Sequence, residues 1–296
     1  MIIFDAHADT PTRLLDENKS LFESDLHIDL KRLTKNDAIQ VFAVFIAPEY
    51  KNNAKERLNS VIANFLAETE KNNFAVCRTH EEIRRTKGPF GILSLEGGEP
   101  IESLSDIDYL KSLGILMIAP TWNYKNQLGC GVLEKEDTGL SNFGKKAIRR
   151  MNELGILVDV SHLSEKSFWD VCEISKKPIC ASHSNSKSVK DNPRNLTDKQ
   201  FCKIRDMNGC VGINLYPPFL GDKSDCIYDH ISHFLSLGGE DNIGFGCDFD
   251  GVDCLPQGVV GCEDMENIIK MLPYSLEIRE KIAYKNFQRV ILSQNC

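Results

Sequence analysis

The chain alternates short, almost unbroken apolar runs with longer stretches in which apolar residues recur at three- and four-residue spacing. The runs lie at 2–6, 39–46, 91–95, 115–119, 156–160, 178–182, 210–215 and 243–247. Apolar runs of this kind, without polar alternation, predict strands covered on both faces, as in a parallel sheet flanked by helices. FAVC at 74–77 is a short strand candidate outside that count. Between the runs, Ala54 to Lys71 sets Leu58, Val61, Ile62, Phe65 and Leu66 on one helical face. Ser141 caps a helix that reaches Leu154 and stops at Gly155, another helix begins near Thr197, and a last one runs from about Ser275 to Leu292.

The stretch 156–196 is the most informative. ILVDV and PICAS are each followed at once by a histidine, His162 and His183. SEKSFWDVCEIS lies between them, with Phe168, Val171, Cys172 and Ile174 near helical spacing behind a capping Ser164. A strand–helix–strand unit in a parallel sheet leaves both strand ends on the same edge. Both imidazoles therefore fall on one rim, a neighbouring-strand distance apart, which is metal-site geometry. Eight strands with interleaved helices predict the α/β class and a single (β/α)8 TIM-type barrel, with its site at the C-terminal rim of the strands. No linker, composition break or repeat divides the sequence, so one domain spanning 1–296 is expected.

Composition narrows the partners. A formal charge of −8 without a clustered basic face argues against nucleic acid or an anionic membrane surface. Eleven scattered cysteines with no CxxC pair suggest a reduced, cytoplasmic protein without a disulfide framework. MIIFDAHAD has no basic leader, so no signal peptide is expected. No apolar run approaches the roughly 18 residues that span a bilayer.

Ligand-type residues occur where the runs end. His7 and Asp9 follow the first, Glu96 the third, His162 and His183 the fifth and sixth, and Asp248 the eighth. His7 and Asp9 are two apart, so extended backbone points both to one side. The whole set could hold two metal ions, and its N/O character suits zinc, with cobalt or manganese as alternatives. Taken singly, a His-x-Asp pair, a Glu before Gly-Gly or a His after a β run is commonplace; their joint placement at strand ends carries the reading. His27, His80, His230 and His233, in loops or on polar helix faces, read as solvated or structural. Gly244-Phe-Gly246 lacks the third glycine of a dinucleotide fingerprint, and the segment from Asp248 to Asp253 lacks the length and closing Glu of a calcium loop.

DAHADTP (5–11), HIDLKRL (27–33), LSLEGGEPI (93–101), MNELGILVDVSHLSEKSFWDV (151–171), PICASHSNSKSVKDNPRNLTDKQ (178–200), VGINLYP (211–217) and IGFGCDFDGV (243–252) run through nearly the whole chain. In that order they resemble the membrane (renal) dipeptidase family, binuclear zinc dipeptidases of the amidohydrolase type. The resemblance implies a dipeptidase with two zinc ions per chain, bridged by Glu96 and a water or hydroxide. His7 and Asp9 would bind one ion, and His162 and His183 the other. The bridging hydroxide would attack the peptide carbonyl, and Asp248 would move the proton from that water to the leaving amine. Arg194, in NPRN, would grip the substrate's terminal carboxylate, with Tyr216 of VGINLYP as a further substrate contact. The resemblance also implies acceptance of a D-residue at the C-terminal position, and a homodimer.

The sequence departs from the pattern at one place. Animal members carry a histidine in the loop after 115–119, where this chain has Trp122. An indole N–H donates one hydrogen bond but neither becomes cationic nor binds metal. Trp122 is therefore a candidate substrate contact, and a pocket reshaped by it would suit a second reading, a related amide or lactone hydrolase on the same barrel. A third, a non-catalytic metal-binding or partner-binding descendant, is opposed by the retained ligand set.

Overall fold

The structure, a computed structural model, describes residues 1–295. The described residues form nine strands: β1 (Ile2–Ala8), β2 (Asp37–Phe45), β3 (Val76–Cys77), β4 (Phe90–Glu96), β5 (Ile115–Ala119), β6 (Leu157–Asp159), β7 (Ile179–Ala181), β8 (Cys210–Ile213) and β9 (Ile243–Phe245). They follow the order β2-β1-β9-β8-β7-β6-β5-β4-β3, and a further β2–β4 ladder closes the ring. Every ladder is parallel. The barrel therefore has eight staves, those expected from the apolar runs, wrapped by helices. FAVC supplies β3, which pairs only with Gly91 and Ile92 at the start of β4, while β5 pairs with Leu93–Glu96 further along.

The near-continuous apolar runs follow from burial on both faces. Phe4, Ala6, Ile39, Val41, Ile92, Leu116, Leu157 and Cys180 form one apolar cluster, and their strand neighbours Ile3, Phe42, Val44, Leu93, Ile115 and Val158 another. Successive strand residues point to opposite faces, so these two clusters are the inside and the outside of one wall. The helix Ala54–Lys71 packs on the outside, where Phe65 meets Phe42 at 4.8 Å between ring centroids. The last helix joins the inner cluster, with Phe287 stacked on Phe4 at 5.6 Å. It is not uniform as the sequence suggested: Leu276–Glu280 passes through a π-helical stretch, Lys281–Lys285, before resuming as Asn286–Leu292.

The caps fall where the sequence placed them. Ser141 accepts from Gly144 N and Ser164 from Ser167 N, while Thr197 and Gln200 form a capping box. Gly155 turns out of its helix at φ 65°. The polar excursion after β1 holds two short helices, Thr10–Asp16 and Leu30–Leu33. The ten cysteines among the described residues are unpaired, and Cys296 lies outside them. Among the described residues no helix is long and apolar enough to cross a membrane.

Candidate metal centre

All six ligand-type residues reach the same mouth from the C-terminal ends of the strands. His7 stands near the end of β1, Asp9 begins the next helix, and Glu96 is the last residue of β4. His162, His183 and Asp248 lie just past β6, β7 and β9. Two of them are bent into the left-handed region, His162 at φ 66° and Asp248 at φ 63°, as is Asp250 at φ 64°. Such conformations in residues with a side chain cost about 1–3 kcal/mol each and gather at functional sites. Backbone hydrogen bonds hold them: Val132 N donates to His162 O at 2.8 Å, and Asp248 N to His7 O at 3.2 Å.

Glu96 is the hub. Its Oε1 lies 2.6 Å from His162 Nε2 and 3.7 Å from His183 Nε2, while Oε2 lies 3.2 Å from His7 Nε2. His7 Nε2 is in turn 3.5 Å from Asp9 Oδ2 and 3.8 Å from Asp248 Oδ1. One carboxylate thus presents a separate oxygen to each of two groups of donors. Glu96 with His7 and His183, and Asp9 with His7 and Asp248, form two trios whose ligand atoms lie within 4.8 Å of one another.

Whether these residues fit a cation pair can be tested on their hydrogen bonds. His162 Nδ1 is 2.8 Å from Asn123 Oδ1, an oxygen that can only accept, so the proton sits on Nδ1. Ser182 donates its hydroxyl to Asp159, and His183 Nδ1 lies 2.7 Å from that same oxygen, so its proton also sits on Nδ1. Both rings therefore aim Nε2 lone pairs at each other, 2.8 Å apart, and at the Glu96 carboxylate. Lone pairs gathered in this way attract a cation, and the outward Nδ1 bonds are the usual device that fixes a metal-binding histidine. His7 Nε2 and Asp9 Oδ1 are buried with no hydrogen-bond partner. At Gly251 a Cβ would come 2.3 Å from Asp9 Oδ2 and 2.4 Å from Asp248 Oδ1 and push both carboxylates from their places, so the glycine leaves that cradle open. The residues fit a pair of metal ions.

The electrostatics agree. Burial pushes the Asp9 carboxyl up to about 7, aided by the Glu96 charge. Burial and Glu96 likewise raise Asp248. Burial would raise Glu96 as well, but the His162 and His7 imidazoles outweigh it and hold the carboxyl well below its usual range. Burial draws His162 down to about 4, with Arg194 adding to the effect, and burial with His7 puts His183 well below its ordinary value. Burial would lower His7 as well, but the Glu96 and Asp9 carboxyls outweigh it and raise that imidazole well above its ordinary value. His162 and His183, kept neutral, are in the protonation state that metal ligation requires, while the proton on His7 beside the ionised Glu96 stands where a cation would supply the positive charge.

A cavity of about 510 Å3 opens over this cluster, lined among others by Glu96, Trp122, Arg194, Tyr216 and Asp248. On one wall Arg194 Nη2 lies 3.1 Å from His162 Nε2, and its guanidinium sits 5.5 Å from the Phe219 ring. Tyr216 packs edge-on against Phe219 at 5.0 Å. On the other wall Trp122 stands 6.2 Å from the His162 ring and 5.3 Å from Phe45. Every site residue expected from the sequence is thus in or directly beneath one cavity. Sequence reasoning missed the residues behind them: Asn214, which donates to Asp248 Oδ2 at 2.8 Å, and Asp159, which with Ser182 orients His183. An acid inside the apolar run ILVDV was the available signal for Asp159.

The remaining histidines are structural. His230 is buried, not on a polar face, and both its nitrogens bond backbone, Ser186 N and Leu220 O, each at 3.0 Å. His80 is buried too, at 3% exposure. His27 accepts from Asp250 N and His233 pairs with Asp198.

Comparison with known proteins extends this picture. The family model described as membrane dipeptidase (peptidase family M19) matches residues 1–295. An uncharacterized protein in the pqqA 5′ region of Klebsiella pneumoniae is 34% identical over 203 residues, covering 63% of this chain and 74% of that protein. An uncharacterized dipeptidase of Schizosaccharomyces pombe is 29% identical over 300 residues, covering 89% of this chain and 71% of the relative. Among solved structures, a metallo peptidase from Rhodobacter sphaeroides, liganded with a phosphinate mimic of the dipeptide L-Ala-D-Ala, superposes with a TM-score of 0.90. Its identity is 26%, with 99% of each chain covered.

Proposed function

The chain belongs to the membrane dipeptidase family, and on that premise we propose that it is a two-zinc enzyme hydrolysing short dipeptides, including those with a D-residue at the C-terminal position. The observation that carries the reading is the division of Glu96, one oxygen toward His162 and His183 and the other toward His7. His7 and Asp9 would hold one ion and His162 and His183 the second, with Glu96 offering an oxygen to each. Three imidazoles and carboxylates without a thiolate suit catalytic zinc. When bound, the ions supply a Lewis acid for the carbonyl and bring the pKa of a shared water toward about 7.

The chain's own groups do the rest. Asp248, with Oδ1 facing the cluster, takes the proton of the attacking water and returns it to the leaving amine. Arg194, buried beside His162, offers a planar fork to the carboxylate of a substrate short enough to end there. Tyr216 lines the same wall, and Trp122 with Phe45 gives the opposite wall an aromatic face for the rest of the substrate. The dipeptide mimic held by the Rhodobacter sphaeroides relative supports the substrate class. Unpaired cysteines support a cytoplasmic enzyme.

Trp122 beside His162 is the one observation that favours a second reading, an amide or lactone hydrolase on the same barrel. A panel of L,D- and L,L-dipeptides, N-acyl amino acids and lactones separates the two, and faster turnover of lactones than of any dipeptide overturns the first. Asp248→Asn retains both metals and lowers kcat by about 100- to 10,000-fold; unchanged kcat removes Asp248 from its role.

A further inference from the structure

Asp248 is held by a device that its proton chemistry does not by itself explain. Its Oδ2 accepts from Asn214 Nδ2 at 2.8 Å, while Oδ1 faces His7 Nε2 at 3.8 Å. Asn214 is fully buried just past β8, and its amide cannot turn over. Its Oδ1 accepts from Tyr216 N at 2.6 Å, which leaves the NH2 group toward Asp248. Its main chain is clamped as well: Asn214 N donates to Asn185 Oδ1 at 3.0 Å, and Asn214 O accepts from Asn185 Nδ2 at 2.9 Å. Asn185, also fully buried, lies just past β7. Asn185, Asn214 and Asp248 thus form a chain of hydrogen bonds across three neighbouring strand ends.

We propose that Asn214 is a positioning residue for Asp248, fixing Oδ2 so that Oδ1 is the oxygen presented to the reacting centre. This rests on the reading of Asp248 as the proton carrier. A carboxylate on a free χ2 has two equivalent oxygens and can swing to close on the cations with both. One directed amide donor removes that equivalence. An amide neither gains nor loses a proton near neutral pH, so Asn214 orients without competing for the proton. The second bond of the same amide, to Tyr216 N, ties the orientation of Asp248 to the start of the helix Pro217–Leu220, which carries Phe219 beneath Arg194. The carboxylate that moves the proton and the wall that grips the substrate thus share one rigid anchor.

Asn214→Asp keeps the acceptor for Tyr216 N and removes the amide donor to Asp248, but it also sets a second carboxyl 2.8 Å from that residue, so it is read beside the uncharged Asn214→Leu, which must show the same loss of kcat if the missing donor and not the added charge is responsible. The metal-loaded variant should keep its full zinc content and a KM within about 2-fold, while kcat falls about 10- to 100-fold, the range typical of outer-shell changes. In an Asp248→Asn background the same substitution should add less than about 3-fold, because residues that act as a unit are not additive. Asn214→Ala serves as a third variant: its crystal structure should show the Asp248 carboxylate rotated from its wild-type orientation. Unchanged kcat in Asn214→Asp, a loss that multiplies fully with Asp248→Asn, or an unmoved carboxylate in Asn214→Ala overturns the proposal. Normal turnover by Asp248→Asn alone instead overturns the role given to Asp248.

Discussion

His183 at the barrel rim and His230 in the helical layer outside it are hidden from solvent to the same degree, 1% and 0% exposed, and differ in everything else. His230 sits in the helix Cys226–Ser236 with both ring nitrogens taken by backbone groups, a closed account of donors and acceptors. His183 has one nitrogen fixed by Ser182 while the other points at His162 Nε2 and Glu96. The contrast extends beyond these two residues. Around His183 lie the unpartnered atoms of His7 and Asp9, the left-handed backbone of His162 and Asp248, and a glycine whose Cβ would crowd the Asp9 and Asp248 carboxylates. Buried polar groups that satisfy one another hold a fold together, whereas buried groups that converge unsatisfied mark where a ligand belongs.

Substitutions can break this contrast from either side. Glu96→Ala should have the largest effect, with both ions lost on gel filtration and turnover gone, while the circular dichroism spectrum stays native. His230→Ala should do the reverse: kcat and zinc content unchanged, but stability lower by about 2–4 kcal/mol in urea titration, since Ser186 N and Leu220 O are left buried without a partner. Arg194→Ala should raise KM for dipeptides about 10- to 100-fold, the worth of a hydrogen bond to a charged group, and Arg194→Lys should recover only part of it. A normal KM in Arg194→Ala takes that residue out of the substrate wall.

The smallest effect sharpens the structural half. Burial draws His80 down to about 4 from its ordinary 6.5. The folded state therefore favours the neutral ring. Its contribution is fully present above pH 6.5 and is lost as the pH falls from 6.5 through about 4, where the folded protein must also take the proton. At pH 5 the loss amounts to about 1–2 kcal/mol. His80→Leu should remove that part of the acid dependence of unfolding, and an unchanged pH slope contradicts it.

Much of the rim was legible because barrel strands announce themselves as apolar runs and end where polarity returns. His7, Glu96, His162, His183 and Asp248 all follow such runs, so their convergence came from topology alone. Boundaries were legible where a cap names itself, as at Ser141, Ser164 and Thr197. The supporting residues left no such trace. Asn214 bonds Asp248 34 positions away, and Asn123 bonds His162 39 positions away. No local period encodes pairs so distant, and asparagines in loops are ordinary. That His80 and His230 are structural and buried, and not solvated on a polar face, was left open for a similar reason: a helix of mixed polarity does not show which histidine its neighbours will cover. The π-helical stretch at Lys281–Lys285 likewise has no pattern in sequence that separates it from continuous helix.

The central claim is that Glu96 bridges two cations, and anomalous scattering at the zinc edge from crystals of the zinc-loaded protein tests it most directly. The account predicts two peaks flanking the Glu96 carboxylate, one beside His7 and Asp9 and one beside His162 and His183. A single peak, no peak, or ions bound away from Glu96 would contradict it.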